Sequence, residues 1–128
     1  MVKKKIFIAT GGTGGHIIPA IALYANLKKK GHIVDIISDK RGQKFLNFFS
    51  KINPKIIDSK PLPKKNFFKF FYSLLILCKS FLLSFLYLIK NKPDLIFGMG
   101  GYSSIPICIS AKIIGINFFI YENNLLAG

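Results

Sequence analysis

The residues best equipped for chemistry are Gly11, Gly12, Thr13, Gly14, Gly15 and His16. Four glycines in five positions let the backbone take positive φ and approach a ligand with no Cβ in the way. The amide groups that open a following helix then point into the same space, which favours an anionic oxygen such as that of phosphate or pyrophosphate. His16 stands at the mouth of that space, and its imidazole can take or give a proton near neutral pH. Two readings stay open from these residues alone: an anion cradle beside a proton acceptor, or a tight strand-to-helix turn with a capping histidine. The standard fingerprints do not decide it. G-x-G-x-x-G fails at Ile17, and no Lys-Ser/Thr follows the glycines as a P-loop requires.

The flanking residues say what positions the loop. Ile6–Ala9 is a short apolar run of strand type, and the spacing of Ile17, Ile21, Leu23 and Leu27 predicts a helix over Ile17–Lys30, with Pro19 in its first turn and Gly31 as its stop. Ile33–Ile37 reads as a second buried strand followed by Ser38 and Asp39. A carboxylate there suits a ribose in a dinucleotide site. Without the fingerprint upstream, Asp39 reads instead as a helix N-cap or loop residue. A second helix is expected over residues 42–52, with Phe45, Leu46, Phe48, Phe49 and Ile52 on its apolar side, then Asn53-Pro54 and a short third strand over Lys55–Asp58. Residues 59–66 form a proline- and lysine-rich connection.

Pro93–Phe97 predicts a fourth strand, running into a second glycine loop of Gly98, Met99, Gly100, Gly101 and Tyr102. A helix over Ser103–Gly115 follows, capped by Ser103 or Ser104, and a fifth strand over Ile116–Tyr121 closes in Glu122, Asn123 and Asn124. Strict alternation of strand and helix predicts an α/β fold with a parallel sheet, which gathers the strand ends at one edge. Both glycine loops and the Glu-Asn-Asn turn are therefore expected to converge.

From Phe67 to Lys90 the chain is almost continuously apolar. At about 100° per residue, Lys69, Ser73, Ser80, Ser84 and Asn91 fall in one narrow sector and the remaining arc is apolar apart from Lys79. A core helix explains a stripe but not the surplus. A transmembrane span has the length, yet Lys79 at its middle costs roughly 2.5 to 3.5 kcal/mol on insertion scales. An interfacial helix fits best, apolar inward to the sheet and outward to lipid, with Lys64, Lys65, Lys69 and Lys90 near headgroups. Phe67, Phe68, Lys69, Phe71, Leu75, Lys79 and Leu82 are the expected membrane contacts.

With 128 residues the chain is one domain at most, and its 51% hydrophobic content with 13 Phe leaves apolar surface to face something other than water. The formal charge of +14 would suit nucleic acid or an anionic membrane. Arg41 is the only arginine, however, and specific nucleic-acid readers lean on arginine forks, so no nucleic-acid partner is expected. Cys78 and Cys108 have no C-x-x-C partner and read as buried thiols of a reducing compartment. Met1–Lys5 precede too few apolar residues for a signal peptide, so the cytoplasmic side of a membrane is the expected address.

The two glycine loops and the turn Glu122-Asn-Asn124, in this order and spacing, resemble the N-terminal domain of the MurG family, over the whole 128 residues. The resemblance implies a Rossmann-like parallel sheet with helices on both faces, the N-terminal half of a GT-B glycosyltransferase of family 28. Such enzymes transfer N-acetylglucosamine with inversion from UDP-N-acetylglucosamine to the muramoyl C4 hydroxyl of lipid I, making lipid II in peptidoglycan synthesis. No cofactor and no metal is implied, in keeping with the lack of an Asp-x-Asp. His16 matches the proposed general base. Thr13, Gly14, Gly15 and Asn124 match positions that touch the donor, and Gly11, Gly12, Gly98, Gly100, Gly101 and Tyr102 match loops that receive the acceptor's diphosphate. Glu122 and Asn123 would line the site. The apolar stretch from Phe67 resembles the family's patch for sitting peripherally on an anionic membrane surface, the cytoplasmic face of the inner membrane.

Departures qualify the match. The family commonly has His-Glu-Gln-Asn where this chain has Tyr121-Glu-Asn-Asn124, so the resemblance carries no second histidine role to this chain. The sequence ends at Gly128, and the donor-binding C-terminal domain of the family pattern would have to be supplied in cis or by a separate chain. The 128 residues alone are expected to be catalytically silent. A rival reading is a membrane-recruiting module without activity that docks a separate catalytic chain, and a third is a nucleotide-binding domain of another kind.

Overall fold

The structure is a computed structural model and describes residues 2–12, 14–49, 51–58, 65–100 and 103–121. Five strands alternate with four helices among these residues: β1 (Lys5–Ala9), α1 (Gly14–Lys29), β2 (Ile33–Ser38), α2 (Lys40–Phe49), β3 (Lys55–Ile56), α3 (Phe67–Asn91), β4 (Leu95–Gly98), α4 (Ser104–Ile114) and β5 (Asn117–Ile120). All pairings are parallel and the spatial order is β3-β2-β1-β4-β5, as the alternation predicts. The chain moves outward from β1 through β2 to β3, then α3 carries it back to the other side of β1. The order therefore reverses between β1 and β4, and a crevice opens beyond their carboxyl ends.

Side chains alternate across the pleat and build a core on each face. Ile8, Val34 and Ile36 meet Ile17, Ala20 and Leu46 of α1 and α2. Phe7, Ala9, Ile37 and Ile96 meet Leu88 of α3 with Ile107 and Ala111 of α4 on the other. The Tyr87 ring stacks on Phe7 at 5.3 Å between centroids.

Several boundaries differ from expectation for local reasons. α1 begins at Gly14 and not Ile17, so Pro19 sits in its second turn, where the ring removes one backbone donor. α2 starts at Lys40 because Asp39 caps it, and of the expected apolar side Leu46 is buried, Ile52 joins the core in part, and Phe45 and Phe48 are exposed. β3 pairs over two residues only, since Asp58 turns to accept from Lys40 N at 3.0 Å.

The larger correction concerns α3, a 25-residue helix. Its buried residues are Ser73, Ser80, Ser84 and Leu88: the serine stripe faces inward, and the apolar arc expected to pack on the sheet faces largely out. The helix lies chiefly against α4, itself lined inward by Ser110 and Ala111. Small residues on both surfaces let the two backbones come close. Burying the hydroxyls is tolerable because the helix satisfies them. Ser84 Oγ donates to Ser80 O at 2.7 Å, and the single Ser80 hydroxyl proton is shared between Ile76 O, at 2.9 Å, and Asp58 O. Asn66 caps the start, accepting from Phe68 N and Lys69 N.

The inverted stripe predicts an inverted response to mutation. Ser84→Leu, at a position with no exposed surface, should cost about 1–3 kcal/mol or more by overpacking, whereas Phe68→Ser, 83% exposed, should change stability by less than about 0.5 kcal/mol. Urea midpoints of the two variants check this.

Candidate active site

Both glycine loops hang from neighbouring strands at the β1–β4 crevice. Met99 N donates to Ala9 O at 2.8 Å, so the first residue past β4 is still laced to β1. Thr10 N donates to Ile37 O at 2.9 Å, and its hydroxyl donates to the carbonyl of His16 at 3.0 Å, folding the first loop back on itself. α1 then begins at Gly14 and turns the positive end of its dipole to the crevice.

The second loop touches the histidine of the first. Gly100 has φ of 99°, a conformation that favours glycine, and its backbone lies on the imidazole: a Cβ there would stand 2.8 Å from His16 Nδ1 and 2.9 Å from Cε1. His16 Nδ1 is enclosed, with no hydrogen-bond partner among the described residues, while the residue as a whole is half-buried. Nε2 is left as the nitrogen able to exchange a proton with a ligand.

Asp39, which the sequence offers as a ribose ligand or, better, as a helix cap or loop residue, holds these loops together. Asp39 is 4% exposed, yet its carboxylate is fully engaged. Oδ1 accepts from Gly12 N at 3.2 Å and from Gly42 N at 2.7 Å, and Oδ2 accepts from Ser103 Oγ at 2.9 Å. The Arg41 guanidinium lies 3.8 Å from Oδ2 on the outer side. The N-cap reading of Asp39 is therefore correct and the ribose reading is not: its oxygens face the protein's own donors. Ser103 holds the N-cap position of α4 but makes no side-chain cap bond, because its hydroxyl is committed to Asp39. No pattern local to Ser103 signals that partner, which lies 64 residues away.

The glycines divide by cause. Gly11 is buried, and a Cβ on it would run into Ser103 and come within 3.0 Å of Asp39 Cγ. Gly98 is buried too, with Cys108 Sγ 2.7 Å from where its Cβ would be. These two positions exclude side chains for packing, whereas Gly12, with φ of 79°, and Gly100 shape half-buried turns. Burial pushes the Cys108 thiol up to about 11. Cys78, expected buried, is exposed. Tyr121 N donates to Gly98 O at 2.7 Å, bringing the end of β5 to the same rim. Thr13, Gly101, Tyr102, Glu122, Asn123 and Asn124, all candidate site residues, lie outside the described residues. Among the described residues no three His, Cys, Asp or Glu side chains gather as metal ligands.

Two outcomes follow. Asp39→Ala should cost about 2–4 kcal/mol in unfolding free energy, the sum of a lost cap and stranded donors, while Asp39→Asn, which keeps an acceptor, should cost roughly 1 kcal/mol, read by denaturant titration. In the native protein at pH 8, Cys78 should react with a thiol reagent and Cys108 should not. A thiol titrating three units higher is thiolate in only about one molecule in a thousand, and the difference should vanish on unfolding.

Comparisons with known proteins agree with this geometry. The sequence profile of the glycosyltransferase family 28 N-terminal domain matches residues 6–128. The chain is 38% identical over 130 residues to the UDP-N-acetylglucosamine–N-acetylmuramyl-(pentapeptide) pyrophosphoryl-undecaprenol N-acetylglucosamine transferase of Pelagibacter ubique, over 99% of this chain and 35% of that protein. It is 39% identical over 123 residues to the protein of the same name from Wolbachia pipientis, over 96% of this chain and 33% of that one. The crystal structure of Acinetobacter baumannii MurG superposes with a TM-score of 0.75 at 26% identity, over 98% of this chain and 37% of that one. A UDP-N-acetylglucosamine 2-epimerase shares the fold, with a TM-score of 0.72 at 17% identity over 98% of this chain and 33% of that one. The chain spans about a third of the length of the curated relatives it matches. Five parallel strands in this order, two loops meeting at the switch point, and a profile match over nearly every residue together assign the chain to glycosyltransferase family 28, within its N-terminal domain.

Proposed function

We propose that residues 1–128 are the acceptor-binding domain of an inverting glycosyltransferase that moves N-acetylglucosamine from UDP-N-acetylglucosamine to lipid I, giving lipid II. The observation that carries this reading is the contact of Gly100 with the His16 ring, which supports one crevice holding a proton acceptor between two backbone turns. His16 Nε2 takes the proton from the muramoyl C4 hydroxyl as that oxygen attacks the anomeric carbon, and UDP departs with the electrons of the broken bond. The turns at Gly12 and Gly100 receive the acceptor's diphosphate, the role that the resemblance also gives to Gly101 and Tyr102, while Gly11 and Gly98, assigned to the same role by the resemblance, act instead through packing beneath the turns. Thr13, Gly14, Gly15 and Asn124 meet the donor, which a C-terminal domain, in cis or as a separate chain, holds from the other side. The resemblance adds Glu122 and Asn123 to the residues of the site.

The outward arc of α3 supports peripheral seating on the cytoplasmic membrane face. Phe67, Phe68, Lys69, Phe71, Leu75, Lys79 and Leu82 are all exposed, and α3 has the length and apolar content of a spanning helix with little of it buried. That arc is also the observation favouring the second reading, a module that recruits a separate catalytic chain to the membrane without using the loops chemically.

The test completes the chain with the C-terminal two thirds of a relative and compares His16→Ala with the parent. Turnover should fall about 10²-fold or more with lipid I binding retained. A loss of less than about threefold removes His16 as the base. If Gly14→Val leaves lipid-pyrophosphate binding intact while vesicle binding persists, the recruiting module is the better description.

A further inference from the structure

A cavity of about 750 Å³ lies off the β3 edge, between the first turn of α2, the end of β3 and the flank of α3. It adjoins the loop after β1, since the guanidinium of Arg41, one of its lining residues, stands 3.6 Å from where a Cβ on Gly12 would be, but the proposed transfer makes no use of the cavity itself. Lys40, Arg41 and Lys79 all line it, facing the carboxylates of Asp39 and Asp58. Lys40 Nζ is 3.5 Å from Asp58 Oδ2, and Asp58 Oδ1 already accepts from Lys40 N. Arg41 stands 3.8 Å from an Asp39 oxygen that Ser103 also engages. The two carboxylates are thus shared with backbone and hydroxyl donors, and Lys79 makes no ion pair among the described residues. Three cations against two occupied carboxylates leave the cavity positive. A guanidinium and ammonium groups together match phosphate oxygens.

The α3 wall is apolar apart from Lys79 and Ser80, and directional. Tyr72, Ile76, Lys79 and Leu83 recur at helical spacing along one stripe of α3 and line the cavity. The next stripe outward, Leu75, Leu82 and Leu86, is exposed. An anionic head in the cavity would therefore have an unbroken apolar path away from it. The position of Lys79 in the middle of an apolar arc is explained by the same geometry, since it lines the cavity where the arc meets α2.

We propose that this cavity seats the phosphate headgroup of an anionic membrane phospholipid, its acyl chains lying over the Leu75–Leu82 surface. The proposal rests on the membrane seating argued above and adds a discrete site to it. Diffuse attraction to an anionic surface gives each surface lysine a similar share, about fivefold in affinity, whereas a site gives Lys79 more than its share.

The experiment measures sedimentation of the 128-residue protein with phosphatidylcholine vesicles, with and without phosphatidylglycerol, for the parent, Lys79→Gln and Lys69→Gln. The two variants have equal charge on the same helix, and both positions are exposed, so folding is checked simply by matching thermal melts. The site predicts a loss of roughly tenfold or more for Lys79→Gln on phosphatidylglycerol vesicles and no more than about fivefold for Lys69→Gln. Equal losses overturn the site and leave the membrane seating in place. Absence of vesicle binding by the parent overturns both. Inorganic phosphate bound in a Lys79-dependent way, with no preference for phosphatidylglycerol vesicles, overturns the lipid as the source of the phosphate.

Discussion

The site depends on one buried carboxylate. A charge that is 4% exposed is tolerable only when every oxygen is met, and Asp39 is met by donors from three places: the loop after β1, the first turn of α2 and the start of α4. These segments follow three different strands, so a single side chain fixes their relative positions at the carboxyl edge of the sheet. The neighbouring glycines make room for it. A Cβ at Gly42 would run into Ser38, as one at Gly11 would into Ser103. Some of the glycine that looks like a ligand cradle in the sequence is thus there to admit a polar knot, and the ligand-facing turns are narrowed to Gly12, Gly100 and the helix start at Gly14.

Legibility in the sequence followed the range of the interactions. The strand–loop–helix units and their order were readable because each rests on local spacing, and parallel pairing follows from alternation. The inward face of α3 was not readable from hydropathy, since a serine that bonds the carbonyl four residues back can be buried at little cost, and Ser80 and Ser84 both do so. α2 starts two residues before the apolar spacing predicts, because the Asp39 cap draws Lys40 and Arg41 into its first turn. Ser103 with Asp39, and Gly100 with His16, are pairings 64 and 84 residues apart in the chain, created only when α3 returns the strand order past β1.

The same crossover gives the domain two unlike sides. The rim above β1 and β4 is built from backbone amides, an imidazole and small polar side chains, which suits a charged, hydrated group. The flank carrying α3 is apolar and lysine-edged, which suits the boundary of a bilayer. The acceptor proposed above, a polar sugar diphosphate joined to a long hydrocarbon, would need both chemistries within one molecule's reach.

The self-bonded serines of α3 also bear on biosynthesis. With Ser80 and Ser84 bonding carbonyls of their own helix, part of the polar stripe is already satisfied before α4 exists, and Lys79, at roughly 2.5 to 3.5 kcal/mol in a bilayer centre, is left as the residue that makes crossing costly. By length and apolar content alone the 25 residues of α3 would suffice to span a bilayer, so this one ammonium group biases the emerging segment toward the protein and away from hydrocarbon.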